Sequence, residues 1–371
     1  MRLRFAVTAI LGGLLAGTAP TAHARAHAAE FERLVIASGV RSMTLPCLSR
    51  LDDGRLLVVW SKGGECILGA WSQDHGRTWS APKNLLATST GHDYDPSILV
   101  SGTRILVTAT VTAGTGIGTS TTKCVRSDDH GRTWSPPYDI PMHHRYTCGK
   151  THQGLRLKSG TLLLGYSWDV FCERGRTLQA EGQMHLRAGV MISTDDGLNW
   201  RNGGDTDAAC DPLTSNAVRG TDEPAIVELD DGSVYMLMRT GSDHLYQARS
   251  SDQGKTWSGL GPSPLRGSNA PAALGKFQVG SQRGILCVWD NGLVRFPLCA
   301  AASFDGGTTW SRPRDIAGLT AGKQASYPSC QQAADGTLLA VWQQETPAGW
   351  DVRCARFHLD WLLRDEGLVN R

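Results

Sequence analysis

The sequence lacks an excess of charge of either sign. Its 37 Lys and Arg residues stand against 35 Asp and Glu, a formal charge of +2. That balance leaves no basic stripe with which to displace counterions from phosphates, so nucleic acid is not an expected partner. Closely spaced cysteine pairs are also missing. None of the ten cysteines (Cys47, Cys66, Cys124, Cys148, Cys172, Cys210, Cys287, Cys299, Cys330 and Cys354) belongs to a Cys-x-x-Cys motif, which argues against a zinc site. No metal and no cofactor are expected. Past the first 28 residues no apolar run approaches the roughly 20 residues that span a bilayer, so stable membrane insertion is not expected either. With 40% hydrophobic and 19% charged residues, the composition is that of a folded globular chain, and no linker or low-complexity stretch divides it.

What is present begins with a targeting pattern. Arg2 and Arg4 precede an apolar stretch from Phe5 to Ala16, followed by the small-residue sites Ala22-His23-Ala24 and Ala26-His27-Ala28. This reads as a signal peptide over residues 1–28, cleaved to leave residues 29–371 as a single domain that is secreted or periplasmic. An even number of cysteines is compatible with disulfides in an oxidising compartment, alongside buried thiols.

An octapeptide then recurs along the chain. Ser72-Gln-Asp74-His-Gly76-Arg-Thr78-Trp79 is repeated in pattern at Ser127–Trp134, Ser193–Trp200, Ser250–Trp257 and Ser303–Trp310, at intervals of about 55 residues. Its chemistry is that of a tight turn between strands: Asp accepts backbone hydrogen bonds, Gly supplies a positive φ, and Trp lays its ring against the sheet. A second element interleaves with it, a turn followed by a short apolar strand. It appears at Asp53-Gly54, Ser101-Gly102, Ser159-Gly160, Asp231-Gly232, Arg283-Gly284 and Asp335-Gly336. Six such units at this spacing predict an all-β chain folded as a six-bladed β-propeller with four strands per blade. The sixth unit has no octapeptide, so the segment around Glu30–Val40 is expected to add a strand to the blade formed by Asp335–Leu359 and close the ring.

The octapeptide Ser-x-Asp-x-Gly-x-Thr-Trp resembles the Asp-box of the sialidase (neuraminidase) superfamily, six-bladed propellers whose active site lies at the centre of one face. The resemblance implies where the chemistry sits. Thr221-Asp-Glu223-Pro224, with Arg239 sixteen residues on, resembles the segment that carries a catalytic Glu and a carboxylate-binding Arg. Ala325-Ser-Tyr327-Pro-Ser resembles that of the nucleophilic Tyr, and Arg295 stands where a second carboxylate-binding Arg is found. A phenol of ordinary pKa near 10 is a poor nucleophile at neutral pH, so Tyr327 needs a base, which Glu223 would supply. A neutral nucleophile suits a sugar whose anomeric carbon bears a carboxylate.

Two positions depart from the pattern. Met43-Thr44-Leu45-Pro46 stands where the superfamily has Arg-Ile-Pro, putting Thr44 in place of the first arginine, with Arg41 three residues away. The loop after the first apolar strand, Ser61-Lys-Gly-Gly-Glu65-Cys66, has no Asp to serve as general acid, which leaves Glu65, Asp93 and Asp95 as candidates. His152, in Lys150-Thr-His152-Gln-Gly154, is expected near the same centre and has no counterpart in the superfamily pattern. The resulting expectation is a secreted, sialidase-like exo-glycosidase removing terminal acidic sugars from glycans. The alternatives are a polysaccharide lyase or other-sugar glycosidase using His152, and a non-catalytic carbohydrate-binding propeller.

Overall fold

The computed structural model describes residues 30–89, 92–112, 120–150, 152–176, 182, 184–207, 219–267, 269–318 and 324–364. The expected signal peptide and Cys210 lie outside them. Runs of Leu, Val, Ile and Ala bounded by turn glycines form antiparallel sheets, which repeat six times around an axis. Strand β1 (Phe31–Val40) comes first. Blade 1 follows as β2 (Cys47–Arg50), β3 (Leu56–Ser61), β4 (Ile67–Ser72) and β5 (Lys83–Leu86). Blade 2 is β6 (Asp93–Ser101), β7 (Arg104–Thr112), β8 (Ser120–Ser127) and β9 (Tyr138–Ile140). In blade 3 the innermost strand is broken into β10 (Thr147–Cys148) and β11 (Leu155–Arg156). It continues with β12 (Leu162–Asp169), β13 (His185–Ser193), β14 (Arg201–Thr206) and the short β15 (Arg219–Gly220). Blade 4 is β16 (Asp222–Glu228), β17 (Val234–Arg239), β18 (His244–Ser250) and β19 (Ser258–Arg266). Blade 5 is β20 (Ala273–Val279), β21 (Gln282–Asp290), β22 (Leu298–Ser303) and β23 (Arg314–Asp315). Blade 6 has β24 (Ala325–Gln332), β25 (Leu338–Thr346) and β26 (Gly349–Phe357) from the end of the chain. Its outer strand is β1, antiparallel to β26 with Phe31 opposite Phe357 and Val35 opposite Arg353. The first strand thus closes the ring onto the last blade.

The octapeptides lie between the third and fourth strands of blades 1 to 5, and hydrogen bonds explain their composition. Ser72 Oγ donates to Asp74 Oδ1 (2.8 Å) and accepts from the Gly76 N–H (2.8 Å). Asp74 in turn accepts from the Thr78 N–H (2.9 Å) and Oγ1 (2.6 Å). Where Asn199 replaces the threonine, its side-chain amide donates to Asp195 (2.7 Å), so the turn is kept. His75 and Gly76, with φ of 60° and 82°, make the left-handed reversal that the glycine permits.

Six hydrophobic clusters fill the six interfaces between blades. Each octapeptide tryptophan packs into the cluster shared with the preceding blade: Trp79 with Leu339 and Val341, Trp134 with Leu57 and Val59, and Trp257 with Leu163 and Val190. Blade 6 has no such tryptophan. There the C-terminal helix Leu359–Leu363 contributes Leu359, Leu362 and Trp361 to the cluster shared with blade 5, and Trp361 stacks on Phe31 with ring centres 4.3 Å apart.

Two expectations are corrected. Arg283-Gly284 is not a turn: Val279 pairs with Gln282 across a tight turn at Gly280-Ser281, and Gly284 lies inside β21. Glycine is needed there because a Cβ would fall 2.4 Å from the Ser303 carbonyl oxygen and 2.7 Å from the Phe277 ring. The nine described cysteines are free thiols rather than disulfides, and eight of them are buried. They sit as small apolar groups in or beside the blades, where burial pushes thiols such as Cys47 and Cys354 up to about 12.

Candidate active site

One backbone feature recurs at the mouth of the propeller. At the start of its innermost strand each blade places one residue in the left-handed region: Leu45, Asp95, Gly149, Glu223, Asn269 and Tyr327, with φ between 44° and 69°. In blades 2, 4 and 6 the ladder slips there, between Tyr94 and Ser97, Asp222 and Ala225, and Ser326 and Ser329. Such a bulge turns one side chain off the two faces of the strand. Leu45, Asp95, Glu223 and Tyr327 are each followed by proline, whose missing N–H suits a break in the ladder. Non-glycine residues rarely adopt this conformation, and their clustering at one place marks a functional site.

Arg239, at the end of β17, joins these side chains. Its Nη1 donates to Glu223 Oε2 (2.8 Å) and reaches Tyr327 Oη (3.4 Å) and Asp222 Oδ2 (3.5 Å). Its Nε and Nη2 both donate to Asn269 Oδ1 (3.1 and 2.7 Å). The Arg295 guanidinium lies over the Tyr327 ring, 5.0 Å from its centre, and donates to the Asn269 carbonyl and Gln324 Oε1, both at 3.3 Å. Arg239 is therefore held by a carboxylate and an amide, whereas the contacts of Arg295 are long and neutral. Sequence reasoning placed Glu223, Arg239, Arg295 and Tyr327 at one centre, and they meet there.

Burial pushes the Tyr327 phenol well above its ordinary range, with the Glu223 charge adding and the two arginines opposing. Burial, reinforced by the charge on Glu223, likewise raises Asp222 above the usual carboxylate range. The main chain of Glu223 is pinned by Ser167 Oγ, which accepts its N–H (2.8 Å). Gly149 of blade 3 packs against it, and a Cβ there would lie 3.1 Å from Glu223 Cγ.

The three acid candidates separate. Asp95 stands in the left-handed position of blade 2 and accepts the Gly149 N–H (3.2 Å). Burial raises its pKa, the Lys150 cation opposes this, and the Glu223 charge adds to it. Asp93 is fully buried but turned away from this group, accepting the N–H (2.9 Å) and Oγ1 (2.6 Å) of Thr88. It holds a loop. Glu65 is exposed and pairs with Lys62 at 2.8 Å, with the Arg41 charge also acting on it. His152 is buried and bonded to the main chain of Glu223, and burial pushes its pKa down to about 4, against the pull of that bond and of the Glu223 charge. It is neutral at pH 7 and supports the backbone that carries Glu223.

Thr44 is fully buried, and its N–H and that of Leu45 donate to Gln343 Oε1 (3.1 and 3.2 Å). Where a third arginine was looked for, a buried threonine thus meets a neutral amide. Sequence reasoning missed Asn269 and Lys150. Asn269 has its proline one residue late, at Pro271, and Lys150 is a fully buried cation whose Nζ lies 3.4 Å from Thr147 Oγ1. Among the described residues no group of His, Cys, Asp and Glu is arranged to hold a metal ion.

The profile of the BNR repeat-like domain family matches residues 96–340. The chain belongs to this family. In fold this BNR protein is a propeller of the sialidase type. It superposes on a Hadza microbial sialidase with a TM-score of 0.73 at 19% identity, covering 89% of this chain and 69% of that one. For the Trypanosoma rangeli sialidase the TM-score is 0.69 at 15% identity, with 89% and 60% covered. The anhydrosialidase of Macrobdella decora is 43% identical over 70 residues, a match spanning 19% of this BNR protein and 8% of that one.

Proposed function

We propose that this protein is a sialidase-like, retaining exo-glycosidase that releases terminal acidic sugars, sialic acid first among them, from glycans outside the cytoplasm. The observation that carries the reading is the single Arg239 nitrogen shared by Glu223 (2.8 Å) and Tyr327 (3.4 Å), which couples a carboxylate to a phenol at the mouth. Glu223 takes the phenolic proton as Tyr327 Oη attacks the anomeric carbon. Asp95, whose pKa is raised by burial, donates its proton to the departing glycosidic oxygen. Water then hydrolyses the tyrosyl glycoside with Asp95 as base, and configuration is retained through two displacements. Arg295, whose hydrogen bonds go only to neutral oxygens, holds the substrate carboxylate, with the Arg239 charge beside it. The sialidase folds among the similar structures and the short anhydrosialidase match support this class of chemistry.

The test is hydrolysis of a fluorogenic N-acetylneuraminic acid glycoside by the purified protein. Turnover by the wild type and none by the folded Y327F variant is the expected result. Saturable glycan binding without turnover would instead select a carbohydrate-binding propeller, and an unsaturated product absorbing in the near ultraviolet would select a lyase.

A further inference from the structure

Asn269 occupies the left-handed position of blade 5 and touches both arginines of the mouth. Its side-chain oxygen accepts two hydrogen bonds from Arg239, at 3.1 and 2.7 Å, and its carbonyl accepts one from Arg295 at 3.3 Å. A guanidinium only donates, so the amide must present its oxygen to Arg239, and the orientation of the side chain is fixed by chemistry. A φ of 51° narrows the choice of residue: asparagine visits this region readily, whereas longer and branched side chains do so at a cost.

We infer that Asn269 is the positioning residue of the anion clamp, fixing Arg239 and Arg295 relative to each other without adding a further negative charge to the one Arg239 already meets in Glu223, so that the pair is not neutralised against the carboxylate of an acidic sugar. The inference deepens the glycosidase reading above and rests on it for the identity of the ligand. An aspartate would fill the same space and bind Arg239 more tightly, but it would cancel one of the two charges the ligand needs. The neutral amide is therefore the informative feature. The other groups around Arg239 show the contrast, since Glu223 and Asp222 already bring two carboxylates to its Nη1 side.

Two variants test this. In N269D the shape and main chain are kept, and KM for an acidic glycoside, taken relative to wild type at the same pH, is expected to rise about tenfold at neutral pH with kcat changed far less. That ratio should fall toward one in acid, as the introduced carboxyl protonates and the clamp regains its charge. In N269G the left-handed backbone and the Arg295 contact are kept, the Arg239 contact is lost, and the rise in KM should show no rescue by acid. A KM ratio for N269D near one throughout, or equally raised at acid and neutral pH, would overturn the inference. A ligand-free measurement separates it from the glycosidase reading. In 15N-arginine-labelled protein the Arg239 Nε–H, identified by its loss in R239K, should be protected from exchange in wild type and N269D and exposed in N269G. Absence of turnover by wild type would defeat the glycosidase reading, whereas an unprotected Nε–H in wild type would defeat the role of Asn269.

Discussion

At the scale of single residues the mouth is a balanced set of charges in which each group has a distinct task. Asp95, Asp222 and Glu223 face Lys150, Arg239 and Arg295, and burial of the acids raises Asp95 and Asp222 together. Replacing Tyr327 by Phe should lower kcat for an acidic glycoside by about three orders of magnitude or more while the thermal melt stays close to wild type; a smaller loss would remove Tyr327 from the mechanism. The pH profile should carry the signature of Asp95. A general acid acts in its protonated form, so the rate should fall as pH rises through the elevated pKa of Asp95. In D95N with an activated aryl leaving group that alkaline limb should disappear.

This scale also shows what the sequence could and could not disclose. Glu223, Arg239 and Tyr327 were legible because the segments that carry them resemble sialidase segments, and the repeat showed where along the chain to look for them. Asp93 and Asp95 were not separable by such reasoning. Residues two apart on a regular strand share a face, and only the left-handed backbone at Asp95 turns it toward Glu223 while Asp93 goes to Thr88. Asn269 stayed hidden because its proline is offset by one residue. The missing arginine at Thr44 was legible, but the amide of Gln343 that occupies the two N–H groups there comes from a strand about three hundred positions away.

At the scale of elements the octapeptide turn is the unit of construction. Thr256 donates its N–H and hydroxyl to Asp252, and these bonds hold that carboxyl at about 2. A depressed carboxyl stabilises the fold above its unfolded pKa near 4 and loses that contribution as pH falls toward 2. Wild type should therefore lose more thermal stability between pH 4 and 2 than D252N, whose melting temperature should already be lower at pH 7; parallel curves for the two proteins would contradict the assignment. The C-terminal helix should matter as much as any turn. Trp361 packs in the one interface that lacks an octapeptide tryptophan, so W361A should destabilise by about 2 kcal/mol in denaturant titrations. A change within error would mean that the helix rides on the surface.

At the scale of the whole molecule, closure of the ring rests on one strand from the opposite end of the chain. β1 pairs with β26 along most of its length, and Arg33 Nε also donates to the Ile316 carbonyl of blade 5. Removal of residues 30–40 should expose the β26 edge, lower the unfolding midpoint and promote association, measured by light scattering during refolding. A monomeric product of unchanged midpoint would show that the ring is held by its inter-blade cores alone.

The left-handed residues at the mouth separate two kinds of selection that most folds entangle. The side chains that hold neighbouring blades together sit on the two faces of each strand, and Leu45, Asp95, Asn269, Glu223 and Tyr327 stand outside all but the backbone of that arrangement: none of the five belongs to an inter-blade cluster. A substitution at one of them changes the group presented to the axis and leaves the apolar packing between blades untouched. Such a scaffold can exchange the polar groups at its mouth, one at a time, through single changes at a handful of sockets.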